Sequence, residues 1–201
     1  YITGRVKTMN ESIYYNVDKL HAALSADAQI QFQYYQWNVK KEMELRRGGK
    51  LYQVSPWGLM WDDEYYYLVA YDAETDKIKH YRVDKMLRIQ ITDQKRAGKE
   101  RYQSFNLPDY TKRIFGMFSG EETKVTLEAD NSMAGVLIDR FGKDIMLIPQ
   151  DGGRFRATVD VAISDQFLGW IVALGTVKIV GPEAVVEKMQ AKVSNLIADY
   201  C

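Results

Sequence analysis

Between positions 79 and 85 the chain reads Lys79-His80-Tyr81-Arg82-Val83-Asp84-Lys85, a dense run of side chains able to hold an anion. On a strand, Tyr81 and Val83 point to one face and His80 and Arg82 to the other. With the apolar pair turned inward, His80 and Arg82 stand together outside. Arginine offers a planar donor fork matched to phosphate, and histidine adds a donor or a charge. The alternative is local: Arg82 paired with a nearby acid such as Asp84 at a solvated edge. The residues alone leave both open.

Nothing comparable points to catalysis. His21 and His80 are the two histidines, and they lie far apart in the sequence. There is no His-Glu-x-x-His, no phosphate loop and no Gly-x-Ser-x-Gly elbow. The one cysteine is Cys201, so neither a zinc-binding Cys pair nor an intrachain disulfide can form. Asp62-Asp63-Glu64 carries oxygen ligands for a hard cation, but contiguous residues rarely converge, and the trio reads as a turn. We therefore expect no enzyme activity, no cofactor and no metal.

Charge is balanced overall, 27 basic against 27 acidic residues, but unevenly placed. Residues 58–76 hold six acids and no Lys or Arg, whereas residues 77–103 hold nine bases and three acids. Two differently charged solvated edges would explain this, and so would an anion-facing surface. No apolar run is long enough to cross a bilayer, and no signal-peptide pattern opens the chain. The expected setting is the cytoplasm, without membrane contact.

The elements that must position these side chains follow from periodicity. Thr8 and Glu11 have capping-box spacing, and Ile13, Val17, Leu20 and Leu24 then form one helical stripe. From Gln29 the period becomes two: Ile30, Phe32 and Tyr34 alternate with glutamines, as in a half-buried strand. Further strands are expected at Lys41–Arg47, Leu51–Trp61, Tyr65–Asp72, Ile78–Val83 and Leu87–Thr92. Gly48-Gly49 reads as a tight hairpin turn and Pro56 as a bulge or edge. Six short strands without an intervening helix predict a small, closed or nearly closed barrel. A polar, basic connection follows, with a short helix between Pro108 and Gly116. Beyond Gly120 the order is β-α-β-β-α-β plus a final helix, a split βαβ, ferredoxin-like pattern. Asn131 or Ser132 caps its first helix in this reading. The fold class is α+β.

Four segments, in order and at fitting spacing, resemble the WYL domain of bacterial transcription regulators. They are Ile30-Gln31-Phe32-Gln33-Tyr34, Tyr52-Gln53-Val54-Ser55-Pro56, Tyr66-Tyr67-Leu68 and Lys79-His80-Tyr81-Arg82-Val83-Asp84-Lys85-Met86. Tyr66 stands where the family's name motif has Trp. Lys79, Lys85 and Met86 replace Arg, Arg and Ile, and Lys keeps the charge without the bidentate geometry. Gly169-Trp170-Ile171 through Val180-Gly181-Pro182-Glu183 resembles the companion WCX domain.

The resemblance implies a linker helix at 1–27, a Sm-like WYL barrel at 28–93, a connection at 94–120 and a ferredoxin-like WCX domain at 121–201. It further implies an effector that is nucleotide-like or a single-stranded nucleic acid. Tyr34 and Tyr67 would offer rings, and Lys79, His80, Arg82 and Lys85 would hold phosphates. Such regulators read double-stranded DNA through an N-terminal helix-turn-helix, absent from this sequence, and work as homodimers. A dimerisation or protein-contact module without a small ligand is the alternative, resting on the stripes at 13–24 and 185–197.

Overall fold

The computed structural model describes residues 12–62, 64–100, 107–114 and 120–200. It divides into two compact units, residues 1–105 and 106–201. The expected capping box at Thr8 and Glu11, Asp63 of the acidic trio, and Gly116 lie outside the described residues.

The first unit comprises α1 (Ser12–Ser25), β1 (Ala28–Trp37), β2 (Met43–Leu45), β3 (Tyr52–Asp62), β4 (Tyr65–Asp72), β5 (Lys77–Arg82) and β6 (Met86–Lys95). All pairings are antiparallel, in the order β2-β1-β3-β4-β5, with β6 also paired to β1. This makes a six-stranded sheet. Its core is the alternating side of β1, with Ile30 and Phe32 fully buried, joined by Val54, Leu68, Tyr81, Val83 and Ile89. Leu20 and Ala23 of α1 are buried in the same core. Asn16 donates to the carbonyls of Val83 at 3.1 Å and Met86 at 2.9 Å, satisfying backbone acceptors where the chain passes from β5 to β6. The stripe of α1 thus packs within its own unit rather than waiting for a partner.

One expectation is corrected here. Gly48-Gly49 does not reverse the chain, because β2 and β3 both run antiparallel to β1: Tyr35 pairs with Leu45, and Phe32 with Tyr52. Residues 46–51 leave the ladder and rejoin it in the same direction. Arg47, Gly48 and Gly49 all have left-handed φ, at 52°, 61° and 84°. The reversal sits at Asn38–Glu42, where the Asn38 carboxamide oxygen accepts the N–H groups of Lys40 and Glu42 at 2.9 and 3.0 Å. This is the short-range side-chain turn that Asn favours. The bulge expected near Pro56 is present, between Pro56 and Gly58.

The second unit contains α2 (Leu107–Arg113), β7 (Glu121–Asp130), α3 (Ala134–Phe141), β8 (Leu147–Gln150), β9 (Arg154–Ile163), α4 (Asp165–Leu174), β10 (Val177–Gly181) and α5 (Glu183–Tyr200). Its antiparallel sheet has the order β10-β7-β9-β8. Val125, Leu127, Phe155, Val159 and Val161 form the buried face, and Leu137, Phe167, Ile171 and Val185 cover it from the helices. Ser164 caps α4, accepting the N–H of Phe167 at 3.2 Å. Ahead of α3, Asp130 rather than Asn131 or Ser132 does the capping, accepting the N–H of Ser132 at 2.9 Å. A carboxylate near the start of a helix also meets the positive end of its dipole.

Candidate ligand surface on the first unit

Strand β5 alternates as its sequence demands: Tyr81 is 5% exposed and Val83 fully buried, while His80 and Arg82 are half-buried on the other side. In register across β4, His80 faces Val69 and Arg82 faces Tyr67. Arg82 is tied at three points. Its Nε and Nη2 donate to the two carboxylate oxygens of Asp84 at 3.0 and 2.7 Å. Its backbone N–H donates to the Tyr34 hydroxyl at 3.0 Å. Its guanidinium carbon lies 3.5 Å from the centroid of the Tyr65 ring. Of the two arrangements open from the residues, the structure has the one in which Arg82 pairs with Asp84.

The electrostatics follow from these contacts. Burial by itself would lower the Arg82 pKa, but the hydrogen-bonded Asp84 carboxylate outweighs it, and the guanidinium stays charged. Burial raises the Tyr34 hydroxyl, and raises Tyr35 with help from the Asp84 charge. Three of the five guanidinium hydrogens of Arg82 are not used by the Asp84 grip.

Of the other expected site residues, His80 and Tyr67 share the face of Arg82, whereas Lys79 and Tyr34 lie on the opposite one. Lys79 shares the inward face with Tyr81 and is ion-paired to Asp72, a carboxylate only 3% exposed. Burial pushes the Asp72 carboxyl up, but Lys79 and the N–H of Glu74 prevail and hold it below its ordinary value. Lys85 is half-buried in the turn that follows β5. Tyr34 is a core residue, 9% exposed, with its ring edge-on to Phe32, Tyr52 and Tyr81 at 5.6–6.2 Å. Tyr67 is half-buried opposite Arg82.

Two aromatic residues not singled out from the sequence are exposed in this unit near the residues that touch Arg82 and Asp84. Tyr65 lies two positions before Tyr67 on the same strand face, hence diagonal to Arg82, and is 39% exposed. Trp37 is 56% exposed and packs edge-on against Tyr35 at 5.6 Å. Their alternation was legible; their exposure, which depends on where β1 and β4 end in the sheet, was not.

With this geometry in view, comparison with family models is decisive. The WYL domain matches residues 15–91, and the WCX domain matches residues 121–197. The chain belongs to the WYL-domain regulators. Its WYL domain thus lies in the first unit and its WCX domain in the second. Among solved structures, a CRISPR Cas-related protein shares the fold at a TM-score of 0.52 and 14% identity, covering 94% of this chain and 52% of that one. Proteasome accessory factor B/C (PafBC) of Arthrobacter aurescens aligns over 97% of this chain and 29% of its own, at 18% identity and a TM-score of 0.39. The WYL–WCX chain therefore spans about half and under a third of these two proteins. A search of curated proteins found no match. Among the described residues, no helix is long and apolar enough to cross a membrane, and no group of His, Cys, Asp and Glu is placed to hold a metal.

Proposed function

We propose that the chain is the effector-sensing region of a bacterial DNA-binding transcription regulator. In this reading its WYL domain, at 28–93, is a Sm-like barrel that binds a nucleotide-like or single-stranded nucleic-acid ligand. The linker helix at 1–27 would follow the DNA-reading domain, and the connection at 94–120 would lead to the WCX domain at 121–201. The strand order β10-β7-β9-β8, with every pairing antiparallel, supports a ferredoxin-like form for that domain. Family membership and the lack of a catalytic motif favour a non-catalytic, cytoplasmic, homodimeric sensor.

The observation that carries the ligand reading is Arg82. Its guanidinium is held in plane by Asp84 and flat against Tyr65, so its remaining donors are fixed before a ligand arrives. Pre-ordered donors lose less entropy when they bind. A phosphate would share or displace Asp84, and a base would find exposed rings beside it. Titration of short single-stranded oligonucleotides and small cyclic nucleotides tests this, with salt-dependent binding expected. Affinity undiminished in Arg82→Ala would remove the residue from the site.

A second reading, a dimerisation module without a small ligand, is favoured by α5. Val193, Leu196 and Ile197 are 39, 40 and 59% exposed along one helix. Sedimentation of wild type against Ile197→Glu separates the readings: a dimer that becomes a monomer, with no oligonucleotide binding in either, supports the second.

A further inference from the structure

The second unit has a groove that its core packing does not explain. It lies between the start of α4 and the C-terminal half of α5, with a volume of about 570 Å³. Sites for small organic molecules run from about 300 to 1,000 Å³. Leu168 and Leu196 give the groove apolar walls. Lys188, Lys192, Asn195 and Asp199 also line it, spaced i, i+4, i+7 and i+11, so they form one stripe of α5. A helix stripe turned toward a neighbouring helix is ordinarily apolar. Here that stripe is charged. The exposed apolar residues Val193 and Ile197 lie roughly half a turn round the helix from it.

The charges in the groove have an order. Lys192 donates to Asp165 at 2.9 Å, joining α5 to the start of α4. That pair is neutral in itself. It leaves Lys188 on one side and Asp199, in the last turn of α5, on the other. Among the described residues neither makes an ion pair. The carbonyl end of α5 adds negative potential beside Asp199. Eleven residues at about 1.5 Å each put the two α-carbons about 16 Å apart. Leu196 stands between them along the helix. The groove thus has a positive end, an apolar wall and a negative end.

We propose that this groove binds a short free peptide, about four residues long and zwitterionic, with its carboxylate at Lys188 and its ammonium group at Asp199. An extended chain advances about 3.3–3.6 Å per residue, so four residues span about 14 Å. The Lys188 and Asp199 side chains close the remainder. Apolar side chains of the peptide rest on Leu168 and Leu196. The complementarity is that of a dipole, so an inorganic anion or a uniformly acidic ligand satisfies one end and is opposed at the other. A single amino acid is too short to reach both charges. The site lies in the WCX domain and is independent of the sensor reading for the first unit.

The test uses the full 201-residue chain and isothermal titration with the peptide Ala-Leu-Leu-Ala in four forms: free, N-acetylated, C-amidated and blocked at both ends. The free peptide is expected to bind most tightly. Each block should weaken it about two- to fivefold, the range of one exposed ion pair. Asp199→Asn should weaken the free peptide as acetylation does and leave the acetylated form unaffected. Lys188→Gln should do the same for amidation and the amidated form. Leu196→Ser should weaken all four forms. These positions are exposed, and unchanged melting temperatures establish that the variants fold. Free and doubly blocked peptides of equal affinity, or charge variants that bind like wild type, overturn the zwitterion assignment. Wild-type protein that takes up none of the four overturns the site. Either failure leaves the oligonucleotide titration, and with it the sensor reading, unaffected.

Discussion

The phenolic oxygen of Tyr34 accepts the backbone N–H of Arg82 at 3.0 Å. A residue expected to offer its ring to a ligand is instead a strut beneath Arg82, the residue we propose as the ligand's anchor. Their side chains leave on opposite sides of the wall, Tyr34 into the aromatic core and Arg82 onto Tyr65. Tyr34→Phe keeps the ring packing and strands a backbone donor. We expect a loss of about 1–3 kcal/mol, the cost of an unsatisfied buried donor, read by urea denaturation. No change in midpoint would show that water replaces the hydroxyl.

Arg82 and Asp84 offer opposite charge changes at one point. Arg82→Ala should reduce the slope of log affinity against log salt by about 0.7, the share of one phosphate contact on a single strand. Asp84→Asn removes the competing carboxylate, and tighter strand binding at low salt is expected. A slope unaltered by either variant would place the phosphate contacts elsewhere.

Two buried groups make opposite contributions to the pH dependence of the first unit's stability. Asp72 has a folded pKa below its ordinary value, so its stabilisation is present above about pH 4 and is lost as pH falls through the lower, folded value. Tyr81 is the reverse: burial first, then the Asp72 charge, raise its pKa well above the ordinary value. Its contribution is intact below about pH 10 and fades as pH rises beyond. Asp72→Asn should flatten the acid limb of a stability–pH profile, and Tyr81→Phe the alkaline limb. Because the buried Tyr81 hydroxyl has no hydrogen-bond partner among the described residues, Tyr81→Phe should cost nothing at pH 7. A clear destabilisation there would reveal a partner.

In the second unit, Gly120 lies against the backbone carbonyl of Ile163, and a β-carbon would overlap that oxygen. Backbone cannot rotate aside as a side chain can. Gly120→Ala should cost about 1–3 kcal/mol by overpacking, whereas Gly135→Ala, which meets open space, should be neutral or slightly stabilising through helix propensity. Thermal melts of the two variants distinguish steric from conformational effects.

Much of this arrangement was legible in the residues, because side-chain direction in a strand depends only on parity. The inward Tyr81 and Val83 and the alternation of β1 and β9 follow from it, and the bulge at Pro56 from proline's missing N–H. What escaped was decided by partners distant in sequence. Gly48-Gly49 carries a strong local turn signal, but only the shared partner β1 shows that the chain continues forward. Arg82 could meet phosphate or Asp84, and a distance of two residues across a strand end did not choose. The exposure of Trp37 and Tyr65 depends on the ends of their strands in the finished sheet, a property no local window contains.

The excursion at residues 46–51 divides the partner edge of β1 into two separately anchored pieces. Amide hydrogens of Ile30–Phe32, paired with the core strand β3, should survive in deuterated solvent far longer than those of Tyr35–Trp37, paired with an exposed three-residue strand. A single continuous strand would then show two exchange clocks. The arm that presents Trp37 would be free to open and re-form while the sheet beneath it stays paired.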